Sequence, residues 1–114
     1  MDSAELILLY DYYGDLLTER QRECFELRYN EDLSLGEIAE ELGVSRQGVH
    51  DNIIRAEAHL AKMEAKTGCV RRDMQCRQAA KDVRESAQLL SKVDNEYVSQ
   101  LAGKIRAAAK SHEE

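Results

Sequence analysis

Proline is absent from the 114-residue chain and aromatic side chains make up only 5% of it. Nothing therefore forces a helix to break, and Ala, Leu, Glu, Lys, Arg and Gln dominate, a composition that favours helix almost everywhere. No apolar run approaches the roughly 20 residues needed to cross a bilayer. The start also lacks the basic, then apolar, then small-residue order of a secretory signal. The expectation is an all-α, cytoplasmic protein without membrane insertion. Cysteine is sparse and odd in number, at Cys24, Cys69 and Cys76, which argues against a disulfide framework in an intracellular chain. Cys69 and Cys76 stand seven apart and far from His59 and His112, with no paired C-x-x-C, so no zinc-ligand set is apparent. Cys24, beside Phe25 and Leu27, reads as a small core residue. With no glycine-rich phosphate loop and no nucleophile placed beside a base, neither an enzyme nor a cofactor is expected.

What the chain does have is length for one modest core, with 43% apolar and 33% charged residues. Its net charge of −6 is unevenly spread: residues 1–44 carry twelve acids and three bases, 45–66 three acids and four bases, and 67–114 seven acids and nine bases. The amino-terminal half is acidic and would repel phosphate. Only the later segments are mildly basic.

The organising stretch runs from Ser34 to Arg55. Ile38, Ala39 and Leu42, then Val49, Ile53 and Ala56, recur at helical spacing on either side of Gly43-Val44-Ser45. Glycine can take the positive φ that ends a helix, valine can turn inward and serine can cap the next helix. Small Ala39 permits the close crossing of a helix-turn-helix, a better fit than an ordinary helical hairpin. Upstream, Ser3 is the expected cap of a helix presenting Leu6, Leu9, Tyr10, Tyr13 and Leu17, and Thr18 caps a second helix with Phe25, Leu27 and Tyr29, followed by a loop at Asn30-Glu31-Asp32. The tyrosines fit a base-stacking platform less well than a core with wet hydroxyls. Downstream, Val49, Ile53, Ala56, Leu60 and Met63 extend the second motif helix to a C-cap at Gly68.

Several runs carry a family resemblance. Leu17-Thr18-Glu19-Arg20-Gln21-Arg22, Leu27-Arg28-Tyr29 and Leu33 to Arg46 resemble the promoter-reading carboxy-terminal domain of bacterial sigma factors. Leu9-Tyr10-Asp11-Tyr12-Tyr13, Leu16-Leu17-Thr18, Asp32 to Ala39 and above all Ser45-Arg46-Gln47-Gly48-Val49-His50-Asp51-Asn52-Ile53 resemble the YlxM family of small bacterial helix-turn-helix proteins. The resemblance covers residues 5–66. It implies a non-enzymatic regulatory protein linked to the signal recognition particle pathway, through gene neighbourhood with that particle's GTPases.

With Val49, Ile53 and Ala56 inward, the outward residues of the second motif helix are Arg46, Gln47, His50, Asp51 and, a turn later, Arg55. Arg46 can read guanine or clamp a phosphate, Gln47 can pair with adenine, and Ser45 with the helix N-terminus can hold a phosphate. Asp51 opposes that use unless it accepts from cytosine. These residues fit a DNA-binding transcriptional regulator, or equally a solvated face on which Arg46 or Arg55 pairs with a nearby acid. In the other functional reading the chain docks on the signal recognition particle or its receptor, with the acidic face at Glu37, Glu40 and Glu41 meeting a basic protein surface. Because the particle contains RNA as well as protein, either component can be the partner.

From residue 69 a heptad-like stripe of Val83, Ala87, Leu90, Tyr97, Leu101 and Ile105 reads as one or two amphipathic helices broken near Asp94-Asn95. Such an arm either forms a homodimer, through Val83, Leu90, Tyr97 and Leu101, or folds back. Arg71, Arg72 and Arg77 form a basic cluster at its start. The expected organisation is a helix-turn-helix domain over 1–68 with its motif at 34–56, a helical arm over 69–110, and a frayed tail over 111–114.

Overall fold

A computed structural model describes residues 1–113. Among them are six α-helices, a single 3-10 turn and no strand. The helices are α1 (Ser3–Tyr13), α2 (Glu19–Tyr29), α3 (Leu35–Leu42), α4 (Arg46–Thr67), α5 (Cys69–Leu90) and α6 (Glu96–Glu113), with the turn at Gly14–Leu16 between α1 and α2. They form two compact units, Met1–Gly68 and the chain from Cys69 onward.

In the first unit local chemistry sets the helix ends. Asp2, rather than Ser3, caps α1: its carboxylate accepts the Glu5 N–H at 2.8 Å. A full negative charge at the positive end of the helix outcompetes a hydroxyl, and Ser3 becomes the first helical residue. Thr18 caps α2 and Ser34 caps α3, each in a reciprocal capping box, with Gln21 and Glu37 respectively. α4 packs against α1, α2 and α3, and the side chains shut most completely away from water are Phe25, Ile38, Leu60, Val49 and Cys24. Burying each of the larger ones favours folding by about 1.5–3 kcal/mol. The tyrosines belong to this packing. Tyr10 stacks on Phe25 with ring centres 4.5 Å apart, Tyr29 meets the same ring at 4.5 Å, and Tyr13 is buried. Their hydroxyls sew the helices together: Tyr10 donates to Glu26 of α2, Tyr29 to Glu57 of α4, and Tyr13 to Glu64 of α4 at 2.6 Å. Tyr10 and Tyr29 thus each spend a ring contact on Phe25 within the packing of the helices.

The second unit is a hairpin of α5 and α6 joined through residues 91–95. Asn95 starts α6, its side chain accepting the Val98 N–H at 3.1 Å. Ala80, Ala87, Ala102 and Ala109 are buried, so the seam between the helices is made of methyl groups. Of the expected stripe only Ala87 lies in it. Val83, Leu90, Tyr97, Leu101 and Ile105 stay at least 41% exposed, because alanines let the two backbones approach closely and leave longer side chains beside the contact. α6 runs to Glu113, whose carboxylate accepts from Arg84 Nε at 2.8 and 3.0 Å. That pairing, 29 residues apart in sequence, holds the last turn; residue 114 lies outside the described residues.

Candidate nucleic-acid interface

The geometry of the motif begins at Ser34, whose hydroxyl accepts the Glu37 N–H while the Glu37 carboxylate accepts the Ser34 N–H, both at 3.1 Å. The Ser34 backbone N–H, seconded by its side chain, holds the Glu37 carboxyl below its ordinary value. Glu37 is therefore committed to starting α3, whereas Glu40 and Glu41, proposed with it as a docking face, stand exposed on the helix. α3 ends at Gly43, whose φ of 68° is left-handed and strains any residue with a β-carbon. Val44 then donates its N–H to the Ala39 carbonyl at 3.1 Å and packs against the core around Cys24, Ile38, Val49 and Ile53. Ser45 caps α4 by accepting the Gly48 N–H at 3.0 Å. A β-carbon at Gly48 would stand 3.0 Å from the Ser45 hydroxyl oxygen, so glycine there keeps the cap tight.

Those inward anchors fix what faces out. Arg46, Gln47, His50, Asp51, Ile54 and Arg55 are all exposed on the first turns of α4. Arg46, Gln47 and His50 line a depression of 380 Å³ together with Leu35 at the start of α3, so the two motif helices share one outer surface. Asp51 is not an isolated charge. Gln47 Nε2 donates to it at 3.0 Å, and His50 Nδ1 lies 3.8 Å away. The same bond holds the Gln47 amide and uses one of its two N–H groups. Among the described residues neither Arg46 nor Arg55 has an acid within ion-pair distance, so the self-paired arrangement weighed from the sequence is not what the structure contains.

Two members of this surface escaped the sequence reading. Ile54 is 50% exposed, four residues beyond His50 on the outward side. In the Ile53-Ile54 pair only one can face the core, and the inward period assigns that place to Ile53, which leaves Ile54 as the readable signal. Leu35 escaped because its place depends on how α3 meets α4. Of the basic cluster early in the second unit, Arg77 pairs with Asp73 at 3.2 Å, and Arg72 lies 3.8 Å from the Cys69 sulfur. No group of three or more His, Cys, Asp or Glu suited to a metal ion is found among the described residues, and none of their helices is long and apolar enough to cross a membrane.

Comparison with known proteins places this geometry. The family model described as "Putative helix-turn-helix protein, YlxM / p13 like" matches residues 2–101. A UPF0122 protein of Acetivibrio thermocellus is 52% identical over 79 residues, 69% of this chain and 68% of its own length. One from Desulforamulus reducens is 62% identical over 63 residues, 55% of this chain and 54% of its own. One from Caldanaerobacter subterraneus is 46% identical over 84 residues, 74% and 72% respectively. With 100 of its 114 residues inside the family model, and Gly43, Ser45 and the outward row of α4 built as a helix-turn-helix requires, the chain belongs to the UPF0122 family of YlxM/p13-like helix-turn-helix proteins.

Proposed function

We propose that this chain is a non-enzymatic, cytoplasmic regulatory protein that docks double-stranded DNA through the first turns of α4. The observation that carries the reading is the exposed row Arg46, Gln47, His50 and Ile54, held rigidly outward by the capped turn at Gly43-Val44-Ser45. An α-helix fits the major groove of B-form DNA, whereas the deep, narrow groove of duplex RNA excludes it. In this reading Ser45 and the amino end of α4 hold one phosphate and Arg55 a second. Arg46 and Gln47 address base edges, and Ile54 meets a thymine methyl. Asp51, tethered by Gln47, disfavours phosphate close by and orients the helix.

Electrostatics limits the strength of the contact. The unit containing the motif carries fifteen acids against seven bases. Two phosphate contacts give a logarithmic salt slope of about −2 at most. The test is fluorescence anisotropy of a labelled mixed-sequence duplex, titrated at low and then physiological salt. Arg46→Ala is expected to weaken binding by about 10-fold or more. Absence of binding at low salt would overturn the reading.

A second reading rests on the exposed Glu40 and Glu41 within the acidic first unit. Here the motif serves as a scaffold that docks a basic surface of the signal recognition particle, the pathway to which the family resemblance points. Charge reversal at Glu40 and Glu41 would then abolish capture of the particle while Arg46→Ala left it intact.

A further inference from the structure

The seam of the α5–α6 hairpin buries alanines, and the exposed Val83, Leu90 and Ile105 are gathered on one side of it. A groove of 460 Å³ lined by Cys76, Val83, Ile105 and His112 runs along one end of that side, and another of 310 Å³ lined by Val83, Leu90 and Ile105 along the other. Val83 and Ile105 line both, so the two side chains stand as a bar between two hollows. Leu101, one helical turn before Ile105, extends the same stripe. The far side of the seam is chemically different, a depression bordered by Arg84, Arg106, Lys110 and Glu113.

From this arrangement we infer that the grooved side of the hairpin is covered by a second copy of the same chain, forming a four-helix bundle. Shape favours that occupant: a bar flanked by hollows is complementary to itself under a two-fold rotation, which carries the Val83–Ile105 bar of one copy into a hollow of the other. Charge agrees. The chain from Cys69 onward has nine bases and seven acids, so two such hairpins repel little, and around the grooves only Asp82 and His112 can ionise apart from the Cys76 thiol. Arg84, Arg106, Lys110 and Glu113 lie on the other side. Size is adequate as well. The 18-residue α6 is about 27 Å long. Two helices with axes about 8–10 Å apart present a ribbon about 18–20 Å wide. Its footprint of about 500 Å², enlarged by side-chain relief, approaches the roughly 800 Å² that each partner contributes to a stable interface.

The dimer requires no nucleic acid, so its test stands apart from that of DNA docking. Sedimentation equilibrium of the full chain, without nucleic acid and across a range of protein concentrations, is expected to give twice the 13.0 kDa chain mass. Val83→Glu and Ile105→Glu, each placing a charge in the bar, are expected to raise the dimer dissociation constant by about 100-fold or more. Lys110→Glu, across the seam, leaves the mass unchanged. Circular dichroism establishes that each variant is folded, and if a glutamate variant unfolds, Val83→Ser and Ile105→Ser provide the same reading with a gentler change. A wild-type chain that stays monomeric overturns the inference, as does a dimer lost with Lys110→Glu and kept in the bar variants. A monomer whose melting temperature falls in the bar variants alone would mean that part of the same chain covers the grooves, and overturns it equally.

Discussion

The two units solve the problem of holding helices together in opposite ways. In the first, α4 lies against three other helices around Phe25, Ile38, Val49 and Leu60, each nearly or wholly out of water, and three tyrosines tie neighbouring helices through carboxylates. In the second, two helices meet over four alanines while Val83, Leu90, Leu101 and Ile105 remain at the surface. Layered burial of large side chains makes a core that is sufficient for a small domain, whereas a two-helix ribbon has no second layer and leaves an apolar side to be covered from outside. The first unit accordingly presents a rigid polar row to solvent, and the second presents an apolar face.

The largest effect expected from breaking this contrast is in the first unit. Phe25→Ala removes the ring on which Tyr10 and Tyr29 pack, and should destabilise that unit by about 3–5 kcal/mol. For a domain whose total stability is about 5–15 kcal/mol this approaches unfolding. Residue-resolved amide exchange should show loss of protection through α1 to α4. The matching change in the second unit is the reverse in kind: Ala102→Leu inserts bulk where the backbones touch and should cost about 1–3 kcal/mol, read as faster exchange in α5 and α6. If Ala102→Leu is neutral, the seam is not the close contact described.

How much of this was legible in the sequence follows from how local each feature is. The turn at Gly43-Val44-Ser45, the caps at Thr18 and Ser45, and the inward residues Val49, Ile53, Ala56 and Leu60 depend on neighbours within a turn or two, and all were readable. The α5–α6 seam was not, because the large apolar residues set the apparent period while contact fell to alanines beside them. The end of α6 depends on Arg84, 29 residues away, so no local pattern could extend it past residue 110. In the candidate interface, Arg46, Gln47, His50, Asp51 and Arg55 followed from helical phase alone. The engagement of Asp51 by Gln47 is a question of rotamers, and the absorption of Glu37 into the capping box shows that a surface acid can be committed to the fold before it meets any partner.

A smaller effect sharpens the role of the tyrosine ties. Burial, together with the bond to Glu57, pushes the Tyr29 hydroxyl up to about 12. A group whose proton is held more tightly in the folded state stabilises the fold fully below its unfolded value near 10, and that contribution is lost as pH rises toward 12. Alkaline unfolding of the first unit, followed by near-ultraviolet circular dichroism, should therefore steepen between about pH 10 and 12. Tyr29→Phe should lose about 1 kcal/mol at neutral pH, with that part of the alkaline dependence gone.

The smallest effect is the most local. The depressed Glu37 carboxyl works in the opposite sense to Tyr29: its contribution is present above the ordinary carboxylate range and disappears as pH falls through its lowered folded value. Glu37→Gln preserves the acceptor oxygen that takes the Ser34 N–H, so the capping box survives, but the neutral amide has no proton to gain. Amide exchange in α3 should quicken on acidification in the wild type and respond less in Glu37→Gln, while α5 and α6 are indifferent to the substitution. Parallel acid dependence of α3 in both proteins would show that titration elsewhere governs this helix, and that the first unit's dependence on its caps is weaker than the geometry at Ser34 implies.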